Sequence, residues 1–140
     1  MPSNVSKELK VSFYKEMLLA RRIEERVGQL YVQQKFSGFC HLYIGQEAVA
    51  TGCFASLRKG EDYVITAYRD HVMPIILGMN PGVMLAELLG KVTGCARGKG
   101  GSMHIFSEPL GFLGRFWIVV GQVPLAVGAV WKIKYKKDDL

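Results

Sequence analysis

A chain of 140 residues, 49% hydrophobic and 21% charged with a formal net charge of +6, has enough apolar material for one modest core. That composition excludes a disordered tail, a collagen-like repeat and a polar low-complexity segment. The longest stretches without a formal charge, residues 71–86 and 116–131, hold 16 residues each and contain proline and glycine. They fall short of the roughly 20 apolar residues that span a bilayer, so no membrane span is expected.

Most of the basic excess is diffuse. Residues 7–35 carry seven basic and four acidic side chains in alternation, the pattern of a solvated helix face. Lys132, Lys134, Lys136 and Lys137 form the one true cluster. Nothing interleaves arginine with aromatic residues as a nucleic-acid platform does, so no nucleic-acid partner is expected. Three cysteines (Cys40, Cys53 and Cys95), without a CxxC pair, fit a reducing compartment better than a disulfide framework or a structural zinc site. The first ten residues have neither a secretory apolar region nor an Arg/Ser-rich transit character, which makes the cytoplasm the expected location.

In chain order, residues 6–34 read as one long amphipathic helix. Leu9, Phe13, Met17, Ala20, Ile23, Val27 and Leu30 recur at three- and four-residue steps, with Ser3, Asn4 or Ser6 as the cap. Residues 36–45 break that period and predict a loop with short extended pieces, followed by a helix over 46–57. The β-branched run at 63–67 follows a turn and predicts a buried strand. Asn80, Pro81 and Gly82 mark a turn, and 83–91 a short helix. Residues 94–121 are glycine-rich and read as irregular. A last helix covers 122–137, with Pro124 in its first turn, where a missing N–H costs little. The order is that of an α/β chain, helix-rich with few strands, in which a single strand implies a sheet left incomplete.

Four groups of residues have chemical potential. Gly94, Gly98, Gly100, Gly101 and Ser102, beside Arg97 and Lys99, read either as a phosphate cradle or as a flexible surface loop. The spacing matches neither a Walker loop nor a dinucleotide fingerprint, since Gly98-Lys99 is followed by Gly100 and position 103 is Met103. Tyr68, Arg69, Asp70 and His71 follow the predicted strand, where ligand contacts gather in open α/β sheets. They read equally as an anion site or as an Arg69–Asp70 pair capping the next helix. His41 is either a proton donor in a closed site or a hydrogen-bonded core residue. His41, His71 and His104 share no metal-ligand spacing, so no metal site is expected within these residues.

Taken together, the blocks Gly38-Phe-Cys-His-Leu-Tyr-Ile-Gly-Gln-Glu-Ala48, Ile65-Thr-Ala-Tyr-Arg-Asp-His71, Arg97-Gly-Lys-Gly-Gly-Ser-Met-His104 and Gly121-Gln-Val-Pro-Leu125 resemble one family. They are similar, in order and over nearly the whole chain, to the alpha subunits of the thiamine-diphosphate-dependent 2-oxo acid dehydrogenases. The first block looks closest to the pyruvate dehydrogenase (acetyl-transferring) branch. The resemblance implies that residues 1–140 are an incomplete, N-terminal part of a thiamine-diphosphate-binding α/β domain. It implies a beta subunit as partner in an α2β2 assembly, and oxidative decarboxylation of pyruvate with acetyl transfer to the lipoyl group of an acyltransferase component. The cofactor does the covalent chemistry and the protein supplies position and electrostatics.

By the same resemblance, His41 lines the pocket near the substrate and His71 borders its entrance. Tyr68 and Arg69 hold the diphosphate, Ser107 falls near a cofactor-contacting loop, and Trp117 and Val119 fall at further cofactor positions. For a eukaryotic source the resemblance would place the chain in the mitochondrial matrix.

The departures are local. The family pattern Gly-Gly-His-Gly-Ile-Val reads Gly114-Arg-Phe-Trp-Ile-Val119 here, and Val72 and Val120 replace family glycines. An indole at 117, where the family has a glycine, either fills cofactor space or turns outward. The Gly-Asp-Gly…Asn motif that binds the cofactor's magnesium in the family is not among these residues. Alternative readings are an inactive relic or interaction fragment pairing with a beta subunit, and an alpha subunit of an acetoin or branched-chain 2-oxo acid dehydrogenase.

Overall fold

A computed structural model describes residues 5–69 and 71–136; Ser3, Asn4, Asp70 and Lys137, named above, lie outside the described residues. Five α-helices and two strands follow in order: α1 (Lys7–Val32), α2 (Glu47–Phe54), β1 (Val64–Thr66), α3 (Val72–Leu77), α4 (Pro81–Leu88), β2 (Phe112–Arg115) and α5 (Gln122–Lys136). A 3₁₀ turn at Glu108–Leu110 precedes β2. None of the helices is long and apolar enough to cross a membrane, among the described residues.

Helix α1 starts where expected. Ser6 holds extended backbone and its hydroxyl accepts from the Leu9 N–H at 3.2 Å, satisfying one donor of the first turn. Burial along the apolar stripe rises towards its second half: Leu9 is exposed, Phe13 and Met17 are half-buried, and Ala20, Ile23, Val27 and Leu30 are buried. Glu24 lies on that buried stripe between Ile23 and Val27 and is fully buried, so the solvated-face reading fails at this residue.

Helix α2 is shorter than predicted and is fixed to α1 by a two-pronged ion pair. Arg21 Nε donates to Glu47 Oε1 at 2.7 Å and its Nη2 to Oε2 at 3.2 Å; both oxygens also accept from the Gly45 N–H. Helix α3 was not predicted. It is one and a half turns of almost unbroken apolar sequence, too short to show a period, with Pro74 inside its first turn. Asn80 caps α4 by accepting from the Gly82 N–H at 2.7 Å, with Pro81 at the first helical position.

The core is a single cluster. It joins Ala20, Ile23 and Val27 of α1, Ala50 and Phe54 of α2, Val72, Ile75, Ile76 and Leu77 of α3, and Met84 and Leu88 of α4 with Tyr43, Ile105 and Phe112. Each large side chain buried there is worth about 1.5–3 kcal/mol against leaving it in water.

Strand β1 is half-buried rather than buried, and it pairs in parallel with β2, which the sequence had hidden in a glycine-rich stretch. The register sets Thr66 opposite Arg115, and the Phe116 N–H continues the pairing onto the Thr66 carbonyl at 3.2 Å. The two strands therefore end side by side. Helix α5 matches its predicted span but has no buried residue; Val123, Val127, Val130, Trp131 and Tyr135 are exposed, with the last two rings stacked at 5.2 Å.

The Arg21 guanidinium first, and the Gly45 amide after it, hold the Glu47 carboxyl down from 4.5 to about 2 against the opposing effect of its burial. A carboxyl depressed in the folded state stabilises the fold fully above its unfolded value and loses that contribution as pH falls. Chemical denaturation of the chain at stepped pH should show stability declining from about pH 4.5 towards pH 2. Glu47→Gln should flatten that decline and lower stability at pH 7.

Candidate functional site

The parallel register brings the segments after β1 and β2 to the same end of the sheet, the position at which open α/β sheets receive ligands. Tyr68 and Arg69 follow β1, and Phe116 to Val120 follow β2. The loop between α1 and α2, residues 33–46, delivers His41 to the first of these segments. The His41 ring meets the Tyr68 ring edge-on, with centroids 4.8 Å apart at 77°. Arg69 Nη1 donates to the Leu42 carbonyl at 2.6 Å. Arg115, the last residue of β2, is fully buried and its Nη2 donates to the Tyr68 carbonyl. Its guanidinium occupies a position where the family pattern has a glycine.

The electrostatics of this cluster are positive. Burial first, then the Arg69 and Arg115 guanidiniums, hold the His41 imidazole below its usual range. His41 is thus neutral at pH 7, with one ring nitrogen free to donate and the other to accept. A cation, a phenol and a neutral imidazole, half-buried together, are a donor set suited to a phosphate or carboxylate.

His71 stands apart from that surface. It is fully buried, and both ring nitrogens are engaged: Nδ1 with Glu24 Oε1 at 2.9 Å and Nε2 with Ser102 Oγ at 2.9 Å. Burial pushes its pKa down, outweighing the opposing pull of Glu24, so the ring is neutral. The other Glu24 oxygen accepts from the Tyr43 N–H at 3.1 Å. Cys40 shares this surrounding; burial, then Glu24, raise its thiol.

The glycine-rich run proves to be a cradle that is already filled. Glu87, at the end of α4, is fully buried and its carboxylate accepts four backbone N–H groups. Ala96 and Gly98 donate to Oε2 at 2.7 and 2.9 Å, Gly100 and Gly101 to Oε1 at 2.7 and 3.2 Å. Burial raises this carboxyl, but the four amides together bring it below its ordinary value. Gly98 has φ of 74°, and a Cβ there would lie 2.6 Å from the Gly90 carbonyl oxygen, so only glycine closes the loop. Neither a flexible surface loop nor a phosphate cradle describes the run: its amides face an internal carboxylate.

The remaining sequence-identified positions are dispersed. Ser107 exchanges two backbone hydrogen bonds with Phe112 and lines an apolar hollow of about 360 Å³ with Met79, Val83, Cys95 and Leu110, none of them in the His41 cluster. Trp117 and Val119 are exposed, at 58% and 68% of their surface, so the indole turns outward. Val120 carries φ of 69°, a left-handed conformation that costs a β-branched residue about 1–2 kcal/mol. His104 is exposed. Among the described residues, no three His, Cys, Asp or Glu side chains converge as metal ligands do.

Sequence reasoning missed Glu24, Glu87 and Arg115. Glu24 was detectable, since it falls four residues after Ala20 and three before Val27, on the buried stripe. Glu87 is the single charge in an apolar helix just ahead of a glycine run. Arg115 carries no sequence signal beyond its break in the family pattern.

The family model of the dehydrogenase E1 component matches residues 15–140. The chain is 49% identical over 135 residues to the pyruvate dehydrogenase E1 component subunit alpha of Zymomonas mobilis, covering 96% of this chain and 38% of the relative. It is 51% identical over 129 residues to the corresponding subunit of Rickettsia prowazekii, covering 92% and 39%. With the chloroplastic subunit alpha-3 of Oryza sativa it shares 45% identity over 99% of its own length and 32% of the relative's. The chain thus spans about two-fifths or less of these relatives.

Glu87→Gln can satisfy one pair of loop amides but turns an NH₂ group towards the other. Two unmet buried donors should cost about 2–4 kcal/mol, read by urea denaturation. Amide exchange should accelerate first at whichever of the pairs 96/98 or 100/101 loses its acceptor.

Proposed function

We propose that this chain, which belongs to the dehydrogenase E1 component family, contributes a thiamine-diphosphate-contacting face to the alpha subunit of a pyruvate dehydrogenase. The observation that carries the reading is the near-50% identity to pyruvate dehydrogenase alpha subunits over almost the whole chain. The geometry supports it: His41, Tyr68 and Arg69 gather at the carboxyl end of a parallel strand pair under positive potential.

The residues fit a diphosphate group. Arg69 supplies charge and a planar fork of donors, of which Nη1 bonds the Leu42 carbonyl. Tyr68 offers its hydroxyl, and its ring fixes the plane of His41. Thiamine diphosphate, when bound, supplies the nucleophilic carbon and the electron sink for loss of carbon dioxide from pyruvate. His41, neutral and edge-on to Tyr68, is placed to donate or accept a proton beside the diphosphate, which is the role we give it towards substrate. Magnesium and the remaining contacts, together with a beta subunit and a lipoyl-bearing acyltransferase, belong to the complete assembly. We place that assembly in the cytoplasm of a bacterial cell.

Outward-turned Trp117 does not compete for the diphosphate. In calorimetric titrations of the chain, thiamine diphosphate should bind weakly and thiamine not measurably. Arg69→Ala should weaken binding by about tenfold or more, the loss expected for a charge-assisted contact. Trp117→Gly should change it less than about threefold, within ordinary surface effects. Equal binding of thiamine and thiamine diphosphate, or no effect of Arg69→Ala, overturns the reading.

A further inference from the structure

We propose that Glu24 is a positioning residue of this site: one carboxylate oxygen on the Tyr43 amide and the other on His71 fix the separation between His41 and Tyr68–Arg69. The assignment rests on the proposed function for its consequence, but not for its geometry. Tyr43 lies two residues after His41, and His71 two residues after Arg69. The two oxygens of one buried carboxylate therefore hold the two segments whose rings and cation form the site, at 3.1 and 2.9 Å. Helix α1 carries Glu24 on its buried stripe, so the reference point for both segments is a helix anchored in the core.

The arrangement has a direction. A carboxylate only accepts, so His71 must carry its proton on Nδ1. With the ring neutral, Nε2 is then an acceptor and the Ser102 hydroxyl donates to it. Ser102 directly follows Gly101, the last of the amides bonded to Glu87, so the tautomer of His71 sets the hydrogen-bond role of the hydroxyl next to that loop. This relay is shut off from solvent: Glu24 and His71 are fully buried and Ser102 is 6% exposed. The groups charged or titratable around it are His41, Cys40 and Arg115. A buried carboxylate is costly unless its acceptors are used, and here each oxygen has a donor.

Glu24→Gln is close to isosteric and tests the direction. If its amide oxygen keeps the Tyr43 N–H, its NH₂ faces His71 Nδ1 and the imidazole must move its proton to Nε2. Long-range proton–nitrogen NMR on the 140-residue chain reads this directly. The wild type should show His71 protonated at Nδ1, a result that needs no variant; protonation at Nε2 overturns the assignment.

In Glu24→Gln the proton should shift to Nε2. The His41 ring-proton shifts caused by the Tyr68 ring should change, and the dissociation constant of thiamine diphosphate should rise roughly tenfold, as loss of an orienting partner does elsewhere. Glu47→Gln serves as the control, loosening α1 against α2 without touching His71; it should leave the tautomer and the His41 shifts where they are. Changes of equal size in Glu47→Gln, or a tautomer switch with unmoved His41 shifts, overturn the positioning role. If the wild-type chain binds no thiamine diphosphate while the tautomer and His41 shifts respond as stated, the functional reading fails and the positioning of His41 by Glu24 stands.

Discussion

A carboxylate withdrawn from water is the constraint around which the site is arranged. Glu24 is fully buried on α1, and its two oxygens accept from Tyr43 and from His71. Leaving such a group without donors costs several kcal/mol, so the structure is not free to move either donor away. The loop 33–46 and the start of α3 are held in place by that penalty as much as by apolar contact. The effect on the site is geometric. His41 and Tyr68 meet edge-on, and Arg69 reaches the Leu42 carbonyl, because both segments are tied to the same carboxylate.

The chain uses the same solution a second time. Glu87 is buried at the end of α4 and gathers four amides of a glycine-rich loop whose long side chains, Arg97 and Lys99, are exposed. A glycine-rich loop has high conformational entropy and little apolar surface, so it needs a strong local anchor. An anion that accepts several N–H groups is the strongest available, whether it arrives as a phosphate or as a side chain. That equivalence explains why the run resembled a phosphate cradle in the sequence. The composition reports the chemistry of the amides and says nothing of which anion they face.

The long and periodic elements were legible because local preference and packing agree there. Helix α1, its Ser6 cap and the span of α5 follow from periodicity and end signals, whereas the turn expected at Asn80 to Gly82 is the capped start of α4, which begins at Pro81 and ends at Leu88 instead of covering 83–91. Helix α3 and strand β2 were not legible. Six apolar residues show no period, and Phe112 to Arg115 become a strand only by pairing with Val64 to Thr66, nearly fifty residues earlier. The cluster of His41, Tyr68 and Arg69 was named from family-like blocks, and its members do come together. Its support was hidden, because Glu24 reads as one more charge on a charged helix until the stripe is traced through it. Ser107 exchanges backbone hydrogen bonds with Phe112 and lines an apolar hollow apart from that cluster.

The packing is uneven, and the departures from the family pattern fall unevenly with it. Helices α1 to α4 share one core, and the groups bonded to the segments of His41, Tyr68 and Arg69 (Glu24 of α1, Leu42 of the loop 33–46 and Arg115 of β2) lie against it. Residues 117–120 and α5 carry no buried side chain, although both are strongly apolar. A helix that leaves Val123, Leu125, Val127, Val130 and Trp131 exposed and a parallel strand pair are elements that gain stability when covered on more than one side. Within the described residues they are covered on one. Trp117 at a family glycine and Val120 in a left-handed conformation sit in this loosely packed half, where an added side chain meets solvent rather than a neighbour. Arg115 shows the contrast: one residue inside the packed half, it is buried whole and bonded to the Tyr68 carbonyl, so a change there acts on the site itself. The packed half therefore ends between Arg115 and Trp117, where β2 leaves the core.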